Sequence, residues 1–171
     1  MTGRLNKKTI IVTGAGSGLG RASAVKLAEE DAQVFCVDVN PETVKETSDI
    51  ITSRGGTASH YQADMCSETE IIAMVTEAEK TYNGIDGLLA NAGIAGTGAA
   101  HETSLEDWDR LIKVSLTGKW LCAKHVIPHF IAKKSGNIVF QSSICALNGF
   151  PKLVAYTAAK GAIAAITRQM A

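Results

Sequence analysis

Thr9-Ile10-Ile11-Val12-Thr13-Gly14-Ala15-Gly16-Ser17-Gly18-Leu19-Gly20 reads as a short apolar run, a glycine-rich turn and the opening of a segment with helical spacing that reaches about residue 30. Strand, glycine turn and helix in that order are the context that gives such glycines meaning. Lacking a Cβ, they permit a tight turn and a close approach of the backbone to a pyrophosphate, and the free N–H groups that open the helix favour its negative charge. The spacing is T-G-x-x-x-G-x-G, built on Thr13, Gly14, Gly18 and Gly20, with Gly16, Ser17 and Leu19 completing the turn.

The alternation continues outward from this stretch. Gln33-Val34-Phe35-Cys36-Val37-Asp38 is a second apolar run, followed by a helix over about residues 41–53 with Pro41 at its first turn. Next come a strand at Thr57-Ala58-Ser59-His60-Tyr61-Gln62, a helix over about residues 67–82 and a strand at Ile85-Asp86-Gly87-Leu88-Leu89-Ala90. A long helical segment opens at Ser104, with Asp107 three residues on as a variant capping box, and runs to Lys134. Pro128 is expected to bend or split it. A fifth strand at Gly136-Asn137-Ile138-Val139-Phe140-Gln141 and a last helix from about Leu153 complete the order. Strands alternating with helices dictate an α/β fold, an open parallel sheet covered on both faces. With no internal repeat, low-complexity tract or Pro/Ser-rich linker, residues 1–171 read as one domain.

Composition narrows the partners. The 171 residues are 46% hydrophobic and 20% charged, which suits a globular chain with a sizeable core. The 17 basic and 17 acidic residues cancel, leaving no field to gather nucleic acid or an anionic membrane, so small-molecule work is the expectation. Cys36, Cys66, Cys122 and Cys145 form no Cys-x-x-Cys, which argues against zinc ribbons and fits a reducing compartment. The apolar segment after Met1-Thr2-Gly3-Arg4-Leu5-Asn6-Lys7-Lys8 is too short for a signal sequence, and a cytoplasmic location is expected.

A second motif lies far downstream. Tyr156-Thr157-Ala158-Ala159-Lys160 sets a phenol and an amine four positions apart, on one helix face. A phenol needs roughly 4 kcal/mol of preference for its anion to serve as a base at neutral pH. An ammonium about 5 Å away supplies roughly 3 kcal/mol at an effective dielectric of about 20. The position of Tyr156 near the positive end of the helix and a nicotinamide cation could supply the remainder. Ser143 follows the fifth strand, where its hydroxyl could orient a substrate oxygen, with Ser142 as the competing candidate. Asp38 stands eighteen residues beyond Gly20, about where an acid accepts hydrogen bonds from the adenosine ribose and repels a 2′-phosphate. Neither Ser17 nor Val39-Asn40-Pro41 supplies a cation for that phosphate, so NAD is expected over NADP. The plainer reading of Asp38 is a turn or capping residue.

With these motifs in order, the chain resembles the short-chain dehydrogenase/reductases over its whole length, through Thr13 to Gly20, Asp38, Asp64, Asn91-Ala92-Gly93, Ser143, Tyr156 and Lys160. The resemblance implies a doubly wound, Rossmann-like sheet of strand order 3-2-1-4-5 and hydride transfer between NAD(H) and a secondary alcohol or ketone, with Tyr156 as general acid/base. It implies that Asp64 and Met65 edge the adenine, that Asn91, Ala92 and Gly93 pass under the cofactor, and that Lys160 holds the nicotinamide ribose. The thirteen-residue spacing to Tyr156 selects Ser143 over Ser142 by the same analogy. Where the family often has an asparagine that holds a relay water, 28 residues before the serine, this chain has Ser115, within Val114-Ser115-Leu116. Family members also continue into two further strands and a closing lobe, which this sequence lacks. The small and apolar residues of the last helix could be core alone, and the resemblance implies that they pack against a partner in a homodimer or homotetramer. The alternatives are a dinucleotide-binding fragment without turnover and a nucleotide-sensing module of the same fold.

No metal site is expected. His125 and His129 are four apart but lack the glutamate of His-Glu-x-x-His, with Pro128 between them, and a surface pair is the better reading. Cys145 has no base near it in sequence. The apolar stretches Ile94-Ala95-Gly96-Thr97 and Ile144-Cys145-Ala146-Leu147-Asn148-Gly149-Phe150-Pro151 suit a hydrophobic alcohol or ketone.

Overall fold

Alternation of side chains along the strands divides the interior into two layers. A computed structural model describes residues 3–171, with strands β1 (Thr9–Thr13), β2 (Gln33–Asp38), β3 (Thr57–Gln62), β4 (Gly87–Ala90) and β5 (Asn137–Phe140). All pair in parallel, in the order β3-β2-β1-β4-β5. Val12, Val34 and Cys36 point to one face and Ile11, Phe35 and Val37 to the other, as the two-residue strand period requires. Helices α1 (Gly18–Glu29) and α2 (Pro41–Ser53) cover the first face with Ala24, Ala28, Val44 and Ile51. The second is covered by α3 (Glu68–Tyr82) and α5 (Gly118–Lys133), through Ile71, Met74, Cys122 and Val126. A smaller cluster joins Leu111 of α4 (Leu105–Ile112) to Ala155 and Ala159 of α6 (Val154–Met170).

Local sequence sets the helix starts. Asn40 accepts the Thr43 N–H at 3.0 Å ahead of Pro41, Ser67 accepts from Glu70 at 3.3 Å, and Ser104 accepts from Asp107 at 3.1 Å. Ser17, ahead of α1, makes no such bond.

The long helical segment departs from the sequence reading. Its interruption is a π-helical turn over Lys113–Thr117, and Pro128 lies inside an uninterrupted α5. Proline removes one backbone donor, but Val126, Ile127 and Phe130 around it all pack on the same core, and that packing carries the helix through. The π turn widens the coil just before Gly118, where the helix meets the loop after β3. A Cβ on Gly118 would stand 2.5 Å from the Met65 carbonyl oxygen and 2.8 Å from Met65 Cβ.

At φ −59° the Gly118 backbone suits any residue, so the constraint there is space. Alanine would gain about 1 kcal/mol of helix propensity. Overpacking against a backbone carbonyl costs about 1–3 kcal/mol and outweighs it. Gly118→Ala is expected to lower Tm by several degrees in thermal circular dichroism, and an unchanged or raised Tm would show that Met65 yields.

Candidate active site

The carboxyl ends of the parallel strands carry every loop of the site. After β1, Gly14 adopts φ +67°, and its absent Cβ leaves room for Ala92, whose Cα would be 2.8 Å away. Gly20 is pressed against the Gly14 carbonyl, so a side chain there would collide with backbone. Gly18, at φ +52°, faces open space with Ser17 and Leu19, leaving the first turn of α1 bare.

Asp38, at the end of β2, accepts the Gly16 N–H at 2.8 Å and the Asn40 N–H at 3.1 Å. It thus fixes the glycine turn and also borders a cavity of about 300 Å³ lined in part by Gly14, Val39, Asp64, Met65 and Ala92. Arg21 lies close by, but its guanidinium is engaged by the Gly16 carbonyl at 2.6 Å, Glu46 at 2.7 Å and Thr47 at 3.0 Å. Asp64 accepts the Cys66 N–H at 2.8 Å, so it is a turn residue as well as part of the cavity wall. A larger hollow of about 480 Å³, between Lys7 and Gly55, lies at the amino ends of β2 and β3, away from these loops.

The turn after β4 is tied to the one after β1. Thr13 Oγ1 accepts the N–H groups of Asn91 and Ala92, each at 3.1 Å, and Asn91 Nδ2 donates to the carbonyls of Thr13 and Gly14 at 3.1 and 3.2 Å. Gly93 then passes close to two polar side chains, since a Cβ there would lie 3.4 Å from Ser115 Oγ and 3.9 Å from Lys160 Nζ. Ser115 is fully buried, and its hydroxyl accepts from Ile94 N–H at 3.1 Å and donates to Ile94 O at 3.3 Å.

Tyr156 occupies the first turn of α6, and Lys160 Nζ lies 5.3 Å from its ring centre. The Ser142 hydroxyl donates to the Lys160 carbonyl at 2.9 Å and is spent on the helix. Ser143 Oγ accepts the Cys145 N–H at 3.2 Å and keeps its own proton to give. No hydrogen bond joins Ser143 to Tyr156 among the described residues, so the two hydroxyls border the crevice separately.

Sequence reasoning missed Lys119. It is 2% exposed in α5, and its Nζ donates to the Gln141 carbonyl at 2.7 Å, the oxygen that also accepts from Lys160 at 2.9 Å. Burial, then the neighbouring Lys160 charge, lowers the Lys119 ammonium to about 7. Burial also lowers Lys160, opposed by its hydrogen bond to Lys119. The available signal was a lysine four positions after Ser115, inside the apolar run to Ala123.

His125 and His129 each face a glutamate of α3, Glu68 at 2.9 Å and Glu79 at 3.3 Å, and no group of three or more metal-ligating side chains occurs among the described residues. Nor, among these residues, is any helix long and apolar enough to cross a membrane.

Comparison with known proteins identifies the family of this fold. The profile of the short chain dehydrogenase family matches residues 8–171. The chain is 37% identical to 2-(S)-hydroxypropyl-CoM dehydrogenase 3 of Xanthobacter autotrophicus, over 100% of its own length and 67% of that protein. Cis-4-hydroxycyclohexanecarboxylate dehydrogenase of Sinomonas cyclohexanicum is also 37% identical, over 96% of this chain and 66% of its own. Among solved structures, NAD+-bound xylitol dehydrogenase has a TM-score of 0.96 at 32% identity, over 98% of this chain and 65% of that one. Carveol dehydrogenase from Mycobacterium avium in complex with NAD has a TM-score of 0.95 at 28% identity, over 99% and 66%. The chain therefore spans about two thirds of the length of these relatives. With its sheet order, its glycine turn and a family match from residue 8 to its last residue, the chain belongs to the short chain dehydrogenase family of oxidoreductases.

Proposed function

We propose that this chain is the cofactor-binding and catalytic part of an NAD-dependent dehydrogenase that passes a hydride between NAD(H) and a secondary alcohol or ketone, with residues 1–171 acting as one dinucleotide-binding domain. The observation that carries this reading is the Tyr156–Lys160 pair, 5.3 Å apart on one helix face beside the Gly93 turn.

The residues present fit a dinucleotide. The bare first turn of α1 offers N–H groups to a pyrophosphate, and Gly14 and Gly20 let the backbone come close. Asp38 stands ready for the ribose hydroxyls, while the guanidinium of the neighbouring Arg21 is occupied on three sides. The cavity edged by Asp64 and Met65 takes the adenine. The NAD carried by the xylitol and carveol dehydrogenase structures supports the same choice.

When bound, the nicotinamide takes or gives the hydride. Tyr156 removes the hydroxyl proton as the alcohol carbon loses its hydride, leaving the ketone, and returns that proton to the developing alkoxide in the reverse direction. Lys160 favours the phenolate by its charge and holds the nicotinamide ribose. Ser143 donates its free proton to the substrate oxygen. Ser115 serves by fixing Ile94, and through it the Gly93 turn. Ile144, Leu147 and Phe150 leave an exposed apolar flank beside Ser143, which suits a hydrophobic substrate.

The reading extends to self-association through α5 and α6, where Trp120 and Ile131 remain exposed, and to the cytoplasm, where the four free cysteines would stay reduced.

Tyr156→Phe is expected to abolish NAD-linked oxidation of secondary alcohols while leaving NADH fluorescence titrations unchanged. Retained turnover would remove Tyr156 from the mechanism. Asp38→Ala is expected to weaken NADH binding by about 1–3 kcal/mol and to narrow the gap to NADPH. Unchanged affinity for both would end the argument for NAD.

A further inference from the structure

Lys119 and Lys160 reach one carbonyl oxygen, that of Gln141, from two different helices. The oxygen has two lone pairs and can accept both donors. Two full ammonium charges so close, both nearly removed from water, repel strongly. The surrounding groups do not offset this. The α6 helix contributes Tyr156 and Lys160, the turn after β5 contributes the Cys145 thiol, the end of β5 contributes the Gln141 carbonyl, and α5 itself contributes Cys122. Burial pushes the Cys122 thiol up to about 12, so it stays neutral, and no carboxylate acts on either lysine. One proton leaves the pair most readily, and it leaves the amine that is more deeply buried.

Ser115 does not take part in this exchange, since its hydroxyl is used in both directions by Ile94. Lys119, four positions on, is the side chain by which this helix reaches Lys160.

We propose that Lys119 is a positioning residue for the reaction: as a neutral amine it accepts a hydrogen bond from the Lys160 ammonium and holds it beside Tyr156, and on gaining a proton it drives that ammonium away. This rests on the assignment of Lys160 as the group that tunes Tyr156 and holds the nicotinamide ribose. The device makes the grip on the ribose depend on pH around the point where Lys119 titrates. It also affects stability, with a definite sign. The folded value of about 7 lies below the ordinary 10.5, so unfolding takes up a proton between these limits and stability rises with pH across that window. Lys119→Met should therefore be more thermostable than the parent below about pH 7, by a margin that shrinks toward about pH 10.5.

The deciding experiment follows the 13Cε resonances of labelled lysines through a pH titration of the whole chain, alongside NADH affinity by fluorescence. One lysine is expected to titrate near 7 and to vanish from the spectrum of Lys119→Met. NADH affinity should rise about threefold or more between about pH 6 and about pH 8.5 in the parent and stay flat in Lys119→Met. Lys119→Gln serves if the methionine variant fails to fold. If no lysine titrates below about pH 9, or if the two pH profiles of NADH affinity superimpose, the proposal is overturned. If NADH binds at no pH while a lysine still titrates near 7, the parent reading has failed, and the positioning role fails with it.

Discussion

The tie between the turns after β1 and β4 holds the site together. Strand order reverses direction at this point, because the chain leaves β1 for one side of the sheet and β4 for the other. Thr13 and Asn91 close the gap with four hydrogen bonds of 3.1 to 3.2 Å. Each contributes about 1 kcal/mol net, but leaving such groups buried without partners costs about 1–3 kcal/mol apiece. Both the glycine turn after β1 and the Gly93 turn beside Lys160 take their positions from this tie. So does the close approach of Gly14 to Ala92, which no side chain would allow.

Charge is divided along the crevice. At the β2 and β3 end stand Asp38 and Asp64, both occupied by backbone N–H groups. At the β5 end stand two lysines whose shared partner is a neutral carbonyl. Carboxylates thus stand at one end of the crevice and amines at the other. The uncapped start of α1 lies between them.

Much of this was legible in the sequence, and the failures have physical causes. The bounds of β2, α2 and β3 were read correctly because Asn40 and Pro41 divide β2 from α2, and Gly55 and Gly56 divide α2 from β3. The clustering of Gly14, Asp38, Asp64, Met65 and Ala92 around one cavity follows from placing them after parallel strands. The interruption of the long helix was sought at Pro128, the usual breaker, although tertiary packing holds α5 straight through it. The π turn has no composition of its own, for Lys-Val-Ser-Leu-Thr reads as ordinary helix. Lys119 escaped notice because a lysine in a helix is usually solvated. Only the fold brings the Gln141 carbonyl to meet it.

In a regular α-helix each residue turns about 100° around the axis. The wide turn at Lys113–Thr117 takes up residues without a matching rotation, so α4 and α5 run out of phase with each other. Phase decides which side chain meets which neighbour. Val114 lines the cavity beside Asp64, Ser115 faces Ile94, Gly118 packs against Met65, and Lys119 meets Lys160 at the Gln141 carbonyl. Restoring a regular coil by removing one residue would rotate everything beyond it by about 100° and present a different side chain at each station. The segment works as a cam, and the angular setting of this helix selects the amine that shares the Gln141 carbonyl with Lys160.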